Sequence, residues 1–421
     1  MDARDPSGPA VIVDPYSSGA LYAAAFREAG VPVIAVVTAP TPPEVYAASY
    51  RPDDFDEILV ASSDLTATIA RLRALRPRCV LAGCESGVEL ADTLAPQVVP
   101  GVANAPETAS ARRDKGAMAA AVKRAGLPII EQICTSDPEE VEAWLERTGL
   151  RGRDLVIKPP KSASTDGVTR VPRGVGWREV FASMVGHRNR LGLVNDRLVV
   201  QEYCHGIEYV IDTASFAGRH TVSDICRYHK IDNGEFMAVY ESMAWMPPTM
   251  PAYDEIVTYA FGVLDAVGMR YGAAHVELML TDRGPRLIEI GARPHGGGHP
   301  RFCRLATGDS QLDRVVRQFA GGEPPPASYV LRQHVLVQFL IARRAGYVHN
   351  AAVLGQIGEL ESHQFSKISI RDGAWLEATK DLFGSLDLGF VVLCHADPAR
   401  VEADARRVRE LEQQVVLAAA A

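Results

Sequence analysis

The sequence predicts a multidomain chain of mixed α/β and α+β class, on three observations. Residues 10–94 alternate short apolar runs with helical stretches, the pattern of an open parallel sheet covered by helices. Residues 198–291 are mostly successive strands with short turns, which pair antiparallel. The segment 321–327, GGEPPPA, breaks composition sharply and reads as a subdomain boundary. With 421 residues, more than one core is expected.

In the first region, 10–13 is a buried strand, 14–19 a turn, 20–29 a helix and 33–37 a second strand. Residues 58–60, 65–75 and 80–81 continue as strand, helix and strand. The turn Ser17-Ser18-Gly19 stands at the carboxyl end of the first strand, where such sheets bind ligands. It carries neither GxGxxG nor GxxxxGK[ST], so no dinucleotide or P-loop site is expected. After 80–81 come Gly83-Cys84-Glu85-Ser86-Gly87 and a helix through Leu94. Glu85 is either a first-turn acid that stabilises the helix dipole or a contact for a cationic substrate group.

A helix over 106–125 carries Arg112, Arg113, Asp114 and Lys115 and stops at Gly126-Leu127-Pro128. Strands at 129–133 and 155–158 flank a helix at 138–147, capped by Ser136 or Asp137. The loop 161–168, KSASTDGV, is small and polar, so its backbone N–H groups are able to approach an anion. A helix at 177–190 and strands at 198–201, from 209, at 223–231 and at 236–244 follow. Helices are expected at 253–267 and 310–320. Beyond the Pro-rich segment, strands near 334–342 and 391–395 and a helix at 398–417 make a last α+β portion.

Composition narrows the function classes. Hydrophobic residues at 47% and charged residues at 23% are ordinary for a globular enzyme. A net charge of −8 with no basic block gives no reason to expect nucleic acid as partner. No apolar run approaches the roughly 20 residues of a membrane span, and the polar start MDARDPSGPA does not read as a signal peptide. Seven scattered cysteines without a CxxC pair fit a reducing cytoplasm better than disulfides or zinc.

The chemistry concentrates in 271–299, YGAAHVELMLTDRGPRLIEIGARPHGGGH. Two apolar strands, 275–280 and 286–290, meet at the turn Thr281-Asp282-Arg283-Gly284, and each carries one carboxylate, Glu277 and Glu289. These acids either face solvent from a half-exposed hairpin or sit inside, where they need a cation or a hydrogen-bonding partner. Gly291, Arg293 and Gly296-Gly297-Gly298 follow directly. Two acids, an arginine and bare backbone make a site for a metal-bound polyphosphate.

The ordered set Lys115, Lys158, a small-residue loop, QEYCHGIE, HVE and EIGAR resembles the ATP-grasp superfamily of carboxylate–amine ligases, over residues 10–320. Within it, GCESGVELAD, HVE, EIGAR…GG and the extension after a Pro-rich linker look most like the L-amino acid ligases that make dipeptides. The resemblance implies an ATP-grasp fold: an N-terminal α/β domain at 1–105 and a linker helix with a small subdomain at 106–203. A large subdomain at 204–322 would carry the metal and catalytic site, with a C-terminal α+β extension at 323–421.

It also implies roles for residues. Lys115 and Lys158 match the lysines on the α- and β-phosphates, for which ammonium groups are suited. Gln201, Glu202, Tyr203 and Cys204 match the hinge whose backbone reads adenine, and Glu208 the ribose-binding carboxylate. The loop with Ser162, Ser164 and Thr165 matches the phosphate lid. Glu277 and Glu289 match the carboxylates that hold Mg²⁺ or Mn²⁺. Many members have asparagine where this chain has Gly291, so a second ion would rely on a bidentate Glu289 or on water. Arg293 matches the arginine that offsets charge on the transferred phosphoryl group.

His275 either orients substrate and stabilises developing charge, or is a satisfied core histidine. Gly296, Gly297 and Gly298 would bind a substrate carboxylate through their N–H groups, and Glu85 a substrate cation. The implied activity is ATP-dependent joining of the carboxylate of one amino acid to the amine of another, through an acyl phosphate. Two other readings stay open: an ATP-grasp ligase or carboxylase of purine-pathway type, and a non-catalytic ATP-binding protein. Partners are small-molecule amino acids, without nucleic acid or membrane, and the C-terminal portion would supply any homodimer surface.

Overall fold

The computed structural model describes residues 8–162, 166–190, 192–234 and 236–419. Strands β1 (Ala10–Val13), β2 (Val33–Val37), β3 (Glu57–Val60) and β4 (Cys79–Ala82) form a parallel sheet in the order β3-β2-β1-β4. Helices α1 (Leu21–Glu28), α2 (Glu44–Ala47), α3 (Thr66–Leu75) and α4 (Val88–Val98) accompany it. β1, β2 and β4 are buried along their whole length, as strands with both faces covered must be. Their carboxyl ends deliver Ser17 and Glu85 to one edge of a large cavity.

The expected helix at 106–125 is broken. A 3-10 turn covers Pro106–Arg112, and α5 (Lys115–Arg124) starts afresh. Asp114 causes the restart: extended at its own backbone, it caps α5 by accepting from the N–H groups of Gly116 and Ala117, both at 2.9 Å. Arg112, fully buried, anchors the turn through Asp92 and the carbonyls of Ala105 and Val267.

The next unit holds β5 (Gln132–Thr135), α6 (Pro138–Thr148), β6 (Leu155–Lys158), β7 (Thr169–Val171), α7 (Trp177–Met184) and β8 (Leu198–Glu202). Its antiparallel sheet runs β5-β8-β6-β7 over a core containing Trp144, Trp177 and Phe181. Asp137 is the cap of α6, and Gly149 at φ 70° ends it, a left-handed conformation that favours glycine. α7 is shorter than the expected 177–190, because Val185 is already extended and Gly186 turns with φ 79°.

The main sheet then builds from β9 (Ile207–Phe216), β10 (Arg219–Asn233), β11 (Phe236–Trp245), β12 (Gly272–Thr281), β13 (Gly284–Gly291) and β14 (His334–Phe339). The last five strands are β15 (Gly346–His349), β16 (His363–Ile368), β17 (Trp375–Leu376), β18 (Gly389–His395) and β19 (Val416–Ala418). Eight of these make one antiparallel sheet, β13-β12-β9-β10-β11-β14-β18-β16, and β17-β15-β19 a small separate one. Helices α8 (Tyr253–Ala266), α9 (His299–Thr307), α10 (Gln311–Phe319), α11 (Leu382–Leu388) and α12 (Pro398–Gln413) complete the chain.

Two features differ from the sequence expectation. The segment 321–327 does not separate two sheets: β14, beyond it, pairs with β11 and carries the ladder on to β18 and β16. The open edge of β11 is covered in this way instead of being left as a template for another chain. α9 is an unexpected helix. It begins at Gly298, in the left-handed region at φ 78°, with Pro300 in its first turn, where a missing N–H costs nothing.

Candidate functional site

One cavity of about 910 Å³ is lined by the carboxyl ends of the N-terminal sheet, by β6 and β8, and by one face of the eight-stranded sheet. Register explains why the acids share that face. Glu277 and Glu289 are direct cross-strand partners on β12 and β13. Glu277 pairs with Val210 on β9, two residues along from Glu208, so Glu208 lies on the neighbouring strand with its side chain on the same side. Lys158, 4% exposed, enters from β6, and Lys115 from the first turn of α5.

The charges are matched in pairs. Lys115 Nζ lies 2.7 Å from Glu289 Oε2 and also donates to the Ser162 carbonyl at 3.4 Å. Burial pushes the Glu289 carboxyl up, but Lys115, Lys158 and His275 outweigh it and hold it at about 2. Burial, with Lys115 nearby, lowers Lys158 to about 8 against the pull of Glu289, Glu277 and Glu208. Lys230 Nζ is 2.5 Å from Glu208 Oε1. The Glu208 carboxyl is nevertheless raised, by burial first and by Glu277 and Glu289 as well.

At the far end of β13, Arg293 Nε donates to Glu85 Oε2 at 2.9 Å, and Arg113 Nη1 lies 3.2 Å from the other oxygen. Glu85 is buried, and despite burial the two arginines hold its carboxyl below its ordinary value. Both of its oxygens therefore face arginines of this chain, so the expectation of a contact to a substrate cation is replaced by an Arg–Glu–Arg bridge. Arg293 Nη1 also donates to His275 Nδ1 at 3.3 Å. An arginine only donates, so Nδ1 is the accepting ring nitrogen, and Nε2 is left to face Glu277 Oε1 at 3.5 Å.

Other expected residues fall as follows. Gln201, Tyr203 and Cys204 line the cavity. Glu202 instead accepts from the Glu131 N–H and approaches Arg283. The Tyr203 ring carries the Arg170 guanidinium 4.2 Å from its centroid. Ser162 is buried at the cavity wall, while Ser164 and Thr165 lie outside the described residues. The N–H groups of Gly297 and Gly298 donate to Ser17 Oγ at 3.2 Å and Ser18 Oγ at 3.0 Å. Those two amides thus join the glycine run to the N-terminal domain.

A buried cluster beneath that run was not anticipated. His299 Nε2 lies 2.8 Å from Asp212 Oδ2 and 3.0 Å from Asp224 Oδ1, both acids being fully buried. Burial works against the His299 cation, yet the two carboxylates raise it to about 10. The His295 ring stacks on His299 at 3.8 Å, and donates through Nδ1 to Asp212 while Nε2 accepts from Tyr228 Oη at 2.9 Å. Burial and the neighbouring His299 charge lower His295 to about 4. The sequence signal was present: the two histidines bracket the three glycines, and Asp212 and Asp224 each adjoin an isoleucine within a strand, in Val-Ile-Asp and Asp-Ile-Cys.

The donor set suits a metal-bound nucleotide. Glu277 and Glu289 offer hard oxygen ligands, and with His275 their ligand atoms lie within 4.8 Å of one another. Two buried lysines and an arginine face the same space. No helix among the described residues is long and apolar enough to cross a membrane.

The chain is similar to known ATP-dependent ligases. An ATP-grasp domain is recognised over residues 152–300. Dapdiamide A synthase of Enterobacter agglomerans is 27% identical over 416 residues, 96% of this chain and 95% of that one. The L-arginine-specific L-amino acid ligase of Bacillus subtilis is 25% identical over 197 residues, 47% of this chain and 46% of the other. Phosphoribosylamine–glycine ligases also appear, such as that of Caulobacter vibrioides at 25% identity over 63% of each chain. Among solved structures, the L-amino acid ligase from Bacillus licheniformis superposes with a TM-score of 0.70 at 18% identity, covering 98% of this chain and 99% of its own. N5-carboxyaminoimidazole synthetase from Staphylococcus aureus, complexed with ADP, gives 0.68 at 14% identity, over 95% and 96%. Enzymes of this fold use ATP with a divalent metal ion. The chain carries an ATP-grasp domain and is an ATP-dependent carboxylate–amine ligase, similar to the L-amino acid ligases.

Proposed function

We infer that the enzyme joins two amino acids, activating the carboxylate of one as an acyl phosphate and transferring the acyl group to the amine of the other. The observation that carries this reading is a single cavity lined by Lys115, Lys158, Glu277, Glu289 and Arg293 together. Similarity in sequence to dapdiamide A synthase over 96% of the chain, and to an L-amino acid ligase, favours amino-acid substrates. The purine-pathway relatives match less of the sequence, 63% for that of Caulobacter vibrioides, although their solved structures cover the fold as fully.

In this reading Glu277 and Glu289 hold Mg²⁺, or Mn²⁺ in its place, and Lys115 and Lys158 bind the nucleotide phosphates. The backbone of 201–204 meets adenine and Glu208 the ribose hydroxyls. The metal-bound nucleotide supplies the phosphoryl group that turns an unreactive carboxylate into one with phosphate as leaving group. Arg293, held by Glu85, offsets charge as it shifts onto the carboxylate oxygen. His275 fixes both Arg293 and Glu277 through its two ring nitrogens. Enclosure by the small subdomain, 106–203, keeps water from the acyl phosphate.

Pairwise incubation of the twenty amino acids with ATP and Mg²⁺, read as ADP release and product mass, tests the reading. One productive pair, lost by at least about a hundredfold in Glu289→Gln, is the expected result, in line with removal of a group acting in the transition state. ADP release from no pair by folded, ATP-binding protein would sink it.

A further inference from the structure

The cavity has a second, apolar end. The charged groups lie on β13, β12 and β9 and the adjoining Lys230, whose Nζ stands 5.2 and 4.3 Å from the Tyr228 and Tyr240 centroids. These two begin a row of aromatic rings across the other half of the sheet, where Lys367 and Asp387 also line the cavity. Tyr228 on β10, Tyr240 on β11, Phe339 on β14 and Phe390 on β18 follow one another, with successive centroids 5.1, 5.9 and 6.4 Å apart. Leu382 and Leu386 of α11, both partly buried, line the same cavity. The row starts at Tyr228, which is bonded to His295, two residues past Arg293. The apolar end therefore opens directly from the place where the carboxylate would be activated.

Polyphosphate and magnesium have no use for such a surface, whereas an apolar side chain entering it leaves water and covers the half-buried Phe390, Leu382 and Leu386, beside the already buried rings of Tyr228, Tyr240 and Phe339. We propose that this end receives the side chain of one of the two amino acids, which is a large apolar one, aromatic or branched aliphatic; the proposal rests on the ligase reading above. The C-terminal extension would then contribute through Leu382, Leu386 and Phe390, choosing the substrate while the charged half of the sheet performs the transfer. Neither leucine belongs to the proposed phosphoryl-transfer machinery, so both are open to substitution.

The full chain is assayed for ADP release with L-phenylalanine, L-leucine, L-alanine and glycine, each paired with every other amino acid. A preference of at least about tenfold in kcat/KM for phenylalanine or leucine over glycine is expected, the scale set by pocket contacts of a few methylenes. Leu386→Phe, which fills the pocket, should raise KM for the large side chain at least about tenfold while leaving KM for ATP within about twofold. Leu382→Ala, which enlarges it, should move the preference toward tryptophan. Equal turnover of glycine and phenylalanine by the parent chain, or an equal loss for all side chains in Leu386→Phe, overturns the pocket. Calorimetry with a non-hydrolysable ATP analogue and Mg²⁺ separates the two claims. If no pair releases ADP, tighter binding of phenylalanine than glycine would retain the pocket while ligation fails, and equal or absent binding would overturn both.

Discussion

A Cβ placed on Gly291 would stand 2.2 Å from Cε1 of His275, so the imidazole occupies the space that a side chain at 291 would need. The two residues are cross-strand partners on β12 and β13, and His275 is only 2% exposed. This ring faces Arg293 through Nδ1 and Glu277 through Nε2. Gly291, having no side chain, thus leaves room for the imidazole beside the backbone of β13.

Gly291→Asn is expected to destabilise the protein by about 1–3 kcal/mol, the range for forcing atoms into a filled interior. Adding His275→Ala should recover most of that loss, because the clash is between these two positions. Thermal unfolding of both single variants and the double variant measures the coupling. A Gly291→Asn protein as stable as the parent would remove the steric link.

Glu85→Gln should leave Arg113 and Arg293 without a counter-charge in a buried setting. Breaking one side of a buried ion pair costs about 3–5 kcal/mol, and the amide retains part of the hydrogen bonding, so a smaller loss is expected here. Turnover should fall at least about tenfold with ATP affinity changed by no more than about twofold, since the effect reaches catalysis through Arg293. Loss of ATP binding instead would assign Glu85 to the nucleotide site.

Lys158 is a cation below about 8 and loses its proton as pH rises through that value, well before an exposed lysine would. Its folded-state value is depressed, so burial of the charge weighs against the fold at pH below about 8, and that penalty disappears as pH rises toward 10.5. ATP affinity should therefore weaken from pH 7 to 9.5. In Lys158→Arg, whose guanidinium does not titrate in this window, the alkaline decline should vanish. An identical decline in both proteins would place the titrating group elsewhere.

His299 carries the opposite linkage. Its value is raised from 6.5 to about 10 by Asp212 and Asp224, against the effect of burial, so the stability it contributes is complete below about 6.5 and lost as pH rises through 10. His299→Gln should thus cost more at pH 6 than at pH 10, measured by urea unfolding at both. A cost independent of pH would mean that the ring contributes only by packing on Trp245, 4.8 Å away.

Legibility differed by element for physical reasons. The parallel N-terminal strands and the hairpin at 272–291 were readable because their apolar runs and turns are local signals. The break at Asp114 was not, because a capping aspartate inside Arg-Arg-Asp-Lys looks like an ordinary helical charge until Arg112 is buried against the carbonyls of Ala105 and Val267. α9 was missed because three glycines and a proline read as loop, although they only form its entrance.

By itself the sequence determined the inventory: many of the strands, one acid on each strand of a hairpin, two lysines and an arginine. The strands follow from periodicity, while the ATP-grasp ligase was implied by the resemblance that the order of a few residues carries. The partners of each charge were decided only by tertiary structure. Glu85 and Arg293 are separated by 208 positions and meet at 2.9 Å, and Lys230 reaches Glu208 only because β9 and β10 pair in one register. The same holds for the aromatic row, whose members come from four strands and share a face only once β14 and β18 extend the sheet. Long-range pairing has no local signature, since strand register and burial are set by the whole chain folding together.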